Sequence, residues 1–372
     1  MFFCSFVLFF VESDVYKTKQ TKTKQNKTKK TGDLAAFRAA RRARNTKRVP
    51  RWRGDVTADI ALGEGGYGKV YAVSDDVVVK VVAIDGDYTE DDMFTADITK
   101  NPFREVAIYQ RSNRLVAKGL TDHVAMMLDA RKVRNVRKVR KLHLYLERFD
   151  SSMYDWIRSG KATDGALRSV VAQALHGYYV MERELGFHQS DFYNNNVLVK
   201  ATASAPRTWR WTVDGLNGLV CSVPSFGVFA CLSDFGACDI DAFPPIPLSA
   251  AHARRDAHQR AMQPVKFIED MLPLALESGI KGPFMDTLER ILYDRVLYER
   301  HGTPPGSTLV SFNAVEGRRL LPDGRSRICA PPTAAELLRL CCDVHKAAPM
   351  GAGKGRLRGP RKRPRGSEVT KA

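Results

Sequence analysis

The sequence predicts an α+β fold in which a β-rich half with one helix precedes a mainly helical half. Between residues 56 and 84, apolar and β-branched runs alternate with glycines, a pattern typical of strands joined by tight turns. Within 166–185, apolar residues recur at helical spacing, and residues 262–300 continue with helical patterns. No internal repeat interrupts this order, so the chain is predicted to form one α+β unit.

The β-rich half is predicted to contain one helix and a second pair of strands. Asn101 followed by Pro102 is typical of an N-cap and a first helical position, which predicts a helix over 102–116. Residues 123–149 predict two further strands joined by a basic run.

The helical half begins with the helix at 166–185, which ends at Gly186 because glycine readily adopts the left-handed conformation of a helix end. Two short strands and a last helix are predicted near 196–200, 228–233 and 333–345.

Charge divides the chain into a near-neutral domain and two basic ends. The net charge is +18; residues 1–53 hold 15 Lys or Arg against three Asp or Glu, and residues 346–372 hold nine against one. We therefore predict disordered basic tails at these ends and a domain over 54–345, with halves at about 54–149 and 150–345. Such tails favour an acidic partner, nucleic acid or nuclear import, unless they are merely solvated ends.

The N-terminus begins with an eleven-residue stretch that is apolar except for Ser5, too short to span a bilayer, and lacks the basic region and cleavage site of a secretory signal. We expect no stable membrane association, and we expect residues 1–33 to lie outside the domain. The seven cysteines are odd in number and include no CxxC pair, which disfavours a disulfide framework and a zinc site. An intracellular protein of the cytoplasm or nucleus is expected.

A glycine-rich motif opens the strand region. The letters GEGGYGKV fit G-x-G-x-x-G-x-V, with glycines Gly63, Gly65, Gly66 and Gly68 followed by Val70. Glycines let backbone N–H groups approach phosphate oxygens closely. A Rossmann turn shares the first six positions but opens a helix, whereas the letters KVYAV predict a strand here. An ordinary glycine-rich hairpin is the structural alternative.

A lysine and a glutamate form a candidate ion pair. Lys80 lies inside the apolar run VVVKVV, where an unpaired ammonium is costly to bury. Glu105 on the predicted helix is the expected partner, and Glu90 in a loop-like segment is the alternative. Lys80 could instead be an edge-strand lysine whose ammonium reaches water.

Two acidic motifs follow the long helix. In HQSDFYNNNVLV, Asp191 precedes Asn196 by five residues, and an apolar strand follows. The second motif is Asp234-Phe235-Gly236, after the apolar strand FACLS. Carboxylate and amide oxygens are the ligands that Mg²⁺ prefers, so these motifs predict a metal site. An asparagine-rich turn is the alternative for the first motif.

In this order, the motifs resemble those of the eukaryotic protein-kinase superfamily over residues 57–300. The resemblance implies a two-lobed fold and the transfer of a phosphoryl group from ATP, with Mg²⁺, to Ser or Thr hydroxyls of protein substrates. A narrower similarity, carried by the stretch from VPSFG to LSDFG, is to divergent Ser/Thr kinases of large DNA viruses. It adds the host cell nucleus to the expected compartments.

The resemblance implies residues that bind the nucleotide. The four glycines and Val70 would cover the phosphates, and Lys80 would hold them. The stretch LERF is similar to the hinge, with Leu146 as gatekeeper and Glu147 and Phe149 beside the adenine.

The resemblance also implies residues for catalysis and metal binding. Glu105 would orient the lysine, Asp191 would act as the catalytic base, and Asn196 and Asp234 would bind Mg²⁺.

Four features depart from the family pattern. Gln189 stands where the family has histidine, and Tyr193 stands where Ser/Thr kinases have a lysine that contacts the γ-phosphate. Asn196 and Asp234 are 38 residues apart, which requires an insertion at about 201–227. No A-P-E motif follows.

These departures leave three other functions open. A pseudokinase scaffold would keep the fold without catalysis, and a small-molecule kinase would use the same fold on another acceptor. A nucleic-acid-binding protein would depend on the charge of residues 346–372.

Overall fold

The computed structural model describes residues 34–45, 49, 61–65, 68–84, 102–134, 140–189, 191–202, 208–213, 219–243, 250–291, 318–320, 326–328 and 332–346. Several predictions lie outside these residues: those on residues 1–33, on the helical pattern at 292–300, on the tail beyond residue 346, and on Gly66, Glu90 and the N-cap Asn101.

The N-terminal half forms a five-stranded antiparallel sheet in the order β1-β2-β3-β5-β4. Its strands are β1 (Gly63–Gly65), β2 (Gly68–Ala72), β3 (Val77–Ala83), β4 (Met127–Arg134) and β5 (Arg140–Glu147). The pattern of this region therefore predicted the strands correctly, and the mixed α+β class is confirmed.

Residues alternate between the two faces of this sheet. Tyr71, Val79 and Tyr145 are opposite one another on neighbouring strands and form a small buried cluster on one face. Lys80 and Leu144 are opposite one another on the other face, where Leu144 belongs to the main core. Lys80 is thus directed toward the rest of the protein.

Helix α2 (Pro102–Lys118) begins at the predicted proline and packs against β4. Its buried side includes Phe103, Ile108 and Tyr109, because apolar residues recur on one side of the helix. The helix thereby covers the sheet face that carries Lys80.

The C-terminal half is mainly helical. Its helices are α3 (Met153–Arg158), α4 (Asp164–Leu185), α5 (Ala250–Glu277), α6 (Pro283–Ile291) and α7 (Ala334–Cys341). Thr163 caps the start of α4 by accepting the Ala166 N–H, and Gly186 ends the helix in the left-handed conformation, as predicted. A division into two lobes stays a prediction.

Short strand pairs bring distant segments together. The sheet β11-β8-β6 joins Val228–Leu232, Val197–Ala201 and Ser151–Ser152, and β7 (His188–Gln189) pairs with β12 (Cys238–Asp239). A further hairpin joins β13 (Arg318–Leu320) to β14 (Ser326–Ile328).

The predicted insertion forms two strands, β9 (Thr208–Thr212) and β10 (Leu219–Pro224). Strand β10 also pairs with β15 (Asp343–Lys346), so the helix predicted over 333–345 needs a correction. The helix α7 ends at Cys341 and the chain then extends, because it completes a sheet with β10 and β9.

Helix α1 (Leu34–Asn45) corrects the domain boundary predicted at residue 54. Phe37 is buried against the rings of Trp209 and Phe229, with centroids 5.6 and 5.0 Å apart. The basic helix is therefore part of the folded domain, since its inner side carries apolar and hydrogen-bonding contacts that local composition did not reveal. None of the described helices combines the length and apolar character needed to cross a bilayer.

Candidate active site

Lys80 is the centre of a buried ionic cluster. It lies in β3, opposite Val70 on one neighbouring strand and Leu144 on the other, and is 5% exposed. Its Nζ lies 2.9 and 3.0 Å from the two carboxylate oxygens of Glu105 and 2.7 Å from Oδ1 of Asp234. The structure thus brings together three predicted site residues, and the edge-strand alternative for Lys80 is wrong.

Glu105 reaches Lys80 because it lies in the first turn of α2, on the buried side. The cluster holds one ammonium and two carboxylates. Burial works to lower the pKa of Lys80, but Asp234 and Glu105 together raise it above its ordinary value. Burial raises the pKa of Glu105, against the opposing effect of the lysine. Lys80 is therefore held charged.

The glycine motif forms the hairpin of β1 and β2. Gly63 pairs with Val70 and Gly65 with Gly68, so a strand follows the motif, as the sequence predicted. Gly68 has a φ of 139°, and a Cβ there would lie 2.4 Å from the Val81 carbonyl oxygen. This glycine is required by the close approach of β2 to β3.

The segment after β7 is fixed around the main-chain carbonyl of Asp191. That oxygen accepts hydrogen bonds from the Tyr193 N–H at 2.9 Å and from Nδ2 of Asn196 at 2.7 Å. The main-chain carbonyl of Asn196 in turn accepts the N–H of Ser233, the residue before Asp234, at 2.9 Å. The two acidic motifs are therefore adjacent, joined by the pairing of β8 with β11.

Asp234 adopts a left-handed backbone conformation, with a φ of 55°. Such a conformation costs about 1–3 kcal/mol for a residue other than glycine and is concentrated at functional sites. The Asp234 N–H donates to the Tyr109 hydroxyl at 3.3 Å, and the Tyr109 ring packs 4.6 Å from Phe235. Tyr109 thus contributes to holding Asp234 beside Lys80, a role that the sequence analysis missed although Tyr109 lies one turn after Glu105.

The carboxylate of Asp191 lies in an acidic environment. Burial raises its pKa, Asp234 adds to the rise, and Lys266 opposes it. Tyr193 is 37% exposed, and burial together with Asp191, Asp270 and Glu269 raises the pKa of its phenol. Both residues therefore face the same acidic surface.

Helix α5 supports the segment that carries Asp191. The ring of Phe267 stacks on Phe192 with centroids 4.3 Å apart and planes 5° apart. One turn on, Oδ2 of Asp270 accepts the Asn194 N–H at 3.0 Å. Burial raises the pKa of Asp270, and the Asn194 N–H opposes that rise. Sequence reasoning missed this support because nothing local links α5 to the motif.

The predicted hinge is held by its backbone and by α1. The Glu147 N–H donates to the Met126 carbonyl at 2.9 Å, while its carboxylate binds Nη2 of Arg41 at 2.9 Å. The Arg41 guanidinium also donates to the carbonyls of Asp122 and Val124. The Glu147 side chain is thus engaged by α1, and only its backbone remains a candidate for contact with adenine.

Phe149 follows directly after the hinge strand. Its ring stacks on Phe229, with centroids 5.8 Å apart. Within the described part of the chain, its N–H takes part in no hydrogen bond and can donate to a ligand.

An arginine next to Glu105 ties α2 to the segment after Asp234. Nη2 of Arg104 lies 2.8 Å from Oδ1 of Asp239, and its guanidinium lies 3.9 Å from the ring centre of Phe243. Arg260 of α5 approaches the other oxygen of Asp239 at 3.6 Å. The sequence around Arg104 gave no indication of its contact with Asp239.

No family model matches the chain. Over 138 residues the chain is 27% identical to cell division control protein 2 homolog D of Antirrhinum majus, a match that covers 34% of this chain. The chain spans 42% of the length of that relative. This partial match indicates a distant protein-kinase relationship, and it lends no support to the narrower similarity to viral kinases.

Proposed function

We propose that the protein transfers a phosphoryl group from ATP to Ser or Thr hydroxyls of protein substrates. The observation that carries this proposal is the buried cluster in which Lys80 contacts both Glu105 and Asp234. A lysine held charged in this way suits the binding of nucleotide phosphates, because its position is fixed before the ligand arrives. The partial match to a cyclin-dependent-type kinase supports the same reaction class.

The donor atoms beside this cluster fit Mg²⁺. Nδ2 of Asn196 is bound to a carbonyl and Oδ1 of Asp234 to Lys80, so Asn196 Oδ1 and Asp234 Oδ2 remain for a cation. In the described part of the chain, no group of three or more His, Cys, Asp or Glu is arranged for a metal ion. Two protein oxygens suit Mg²⁺, which completes its shell with water and phosphate oxygens and would neutralise their charge.

In the proposed function, Asp191 acts on the acceptor hydroxyl. Its main-chain carbonyl accepts three hydrogen bonds, from Tyr193, Asn196 and Gln189, so the backbone that carries the carboxylate is fixed. In the proposed reaction this carboxylate orients the hydroxyl and accepts its proton, while Lys80 holds the nucleotide phosphates. The hinge backbone at Glu147 and Phe149 contacts adenine, and the glycine hairpin covers the phosphates.

The test is phosphoryl transfer by the full chain with Mg²⁺ and γ-labelled ATP. The acceptors are a basic protein, an acidic protein and the enzyme itself, and the control is Asp234→Asn. Label on Ser or Thr that the control lacks supports the proposal. Absence of label on every acceptor, although Mg-ATP raises the melting temperature, contradicts it and favours a pseudokinase scaffold or a small-molecule kinase.

A second candidate is phosphoryl transfer to a small molecule. Strand β12 ends at Asp239 and α5 begins at Ala250, so few residues remain to build a docking site for an extended peptide. A screen of hydroxylated metabolites as acceptors separates this function from the first. Acidic proteins and nucleic acid as partners of the basic tails remain proposals, and so does a location in the cytoplasm or nucleus.

A further inference from the structure

The position two residues after the proposed base carries no cation. Tyr193 stands there, partly exposed, and its phenol interacts with the acidic groups of Asp191, Asp270 and Glu269. A phosphoryl group that approaches this surface brings further negative charge. Transfer therefore needs a positive group near the acceptor, because the Lys80 ammonium is engaged by Glu105 and Asp234.

Helix α5 brings one lysine to this surface. Lys266 directly precedes Phe267, which stacks on Phe192, and lies four residues before Asp270, which binds the Asn194 N–H. Residues four apart lie on the same side of a helix, so Lys266 shares the side of α5 that meets the segment carrying Asp191. The Lys266 side chain is only partly exposed.

The charge of Lys266 acts on the carboxylate of Asp191. Among the described residues, Lys266 is the one cation that works to lower the pKa of Asp191. Lys266 also works to lower the pKa of Glu269. The contacts of Phe267 and Asp270 and this effect on Asp191 both put Lys266 on the side of α5 that faces the segment of the proposed base.

We infer that Lys266 supplies, from helix α5, the cation that binds the transferred phosphoryl group beside Asp191. This inference rests on the proposed function and makes Lys266 a catalytic residue of that same site. Lys266 would thereby supply the positive charge that Tyr193 lacks. A lysine ammonium suits the role, since it is a compact point charge that can follow a moving phosphate.

The kinetic test compares Lys266→Met with Lys266→Arg in the full chain. The control is Lys161→Met, which removes an exposed lysine between α3 and α4. We expect Lys266→Met to lower kcat by roughly 10- to 100-fold with the KM for Mg-ATP within about threefold, because the charge acts mainly in the transition state. Lys266→Arg should retain more activity than Lys266→Met, and Lys161→Met should match the wild type.

A second-site variant makes the test specific. Adding Tyr193→Lys to Lys266→Met returns a cation to the other side of Asp191 and should recover at least part of the lost kcat. A general defect of α5 would not be rescued in this way. Wild-type kcat in Lys266→Met would overturn the inference and leave the proposed function intact.

A binding readout keeps the inference separate from the proposed function. With Mg²⁺ present, ATP should protect Lys266 from acetylation more than ADP does, as measured by mass spectrometry. If the wild type transfers no phosphate, the proposed function fails, and this difference still tests the placement of Lys266. Equal protection by ATP and ADP, or no protection by either, overturns the inference.

Discussion

The buried ion pair between Arg41 and Glu147 supports a quantitative prediction about stability. The two side chains are 3% and 5% exposed, and Arg41 also donates to two carbonyls. Arg41→Met keeps much of the apolar stem but leaves the Glu147 carboxylate buried without its cation. Breaking a buried pair from one side costs about 3–5 kcal/mol, a large share of the roughly 5–15 kcal/mol that stabilises a typical protein.

Urea unfolding followed by tryptophan fluorescence measures this loss, since Trp209 packs against Phe37, which lies in α1 together with Arg41. With a slope of about 3 kcal/mol per M, the midpoint should fall by about 1 M or more. The matched control is Arg183→Met, whose partner Glu184 is partly exposed, and it should cost less than about 1 kcal/mol.

The double variant Arg41→Met/Glu147→Gln measures how much of the loss comes from the unpaired charge of the Glu147 carboxylate. Because a neutral amide is less costly to bury than an isolated carboxylate, the double variant should be more stable than Arg41→Met by about 1–3 kcal/mol. An unchanged midpoint in Arg41→Met would refute the reasoning, and so would a double variant less stable than the single one. Either result would mean that helix α1 is not held by this pair.

Four other predictions follow from the site and the core. Lys80→Met and Asp234→Asn should each abolish turnover while circular dichroism shows that each variant still folds; activity in either purified variant would contradict the assignment. Asp191→Asn should lower kcat far more than nucleotide affinity, and equal losses would count against its role as base. Tyr109→Phe removes only the hydroxyl that accepts the Asp234 N–H, a bond worth about 1 kcal/mol, so the Mg²⁺ concentration for half-maximal rate should rise several-fold; an unchanged requirement would exclude that role. Burial lowers the pKa of His123 to about 3, so the unfolded chain binds a proton that the folded chain does not. Through His123 alone, stability should therefore fall by about 2 kcal/mol between pH 7 and pH 5. In urea unfolding, His123→Asn, which keeps a donor for the Ala230 carbonyl, should remove this part of the dependence and leave the part due to His176, whose pKa burial also lowers.

Local signals were sufficient to predict much of the fold and the cluster around Lys80. The glycine motif, the run VVVKVV and the pair Asn101-Pro102 in the sequence each act over a few residues, and periodicity then indicates which sides are buried. Glu105 could be proposed as the partner because its helix was predictable. Asp234 was predicted as a metal ligand, but its contact with Lys80 depends on the tertiary structure.

The rest depends on contacts between residues far apart in the chain. Arg41 meets Glu147 across 106 positions, and Asn194 meets Asp270 across 76. Neither α1 nor α5 shows a local sign of its partner, since a basic helix and an acidic residue on a helix are both typical of solvated surfaces. Local preference predicted a helix at the residues of β15. They form a strand instead, because pairing with β10 outweighs that preference.

The pairing of β10 with β15 has a consequence for how the chain folds during synthesis. Strand β10 lies between β9, close by in sequence, and β15, which begins at Asp343. Until the ribosome has released Lys346, one edge of β10 lacks its partner, and an open edge is a template for association with other chains. Nascent chains that stall before this residue should therefore aggregate more readily than complete ones, through a strand of the insertion that separates the two acidic motifs in the sequence.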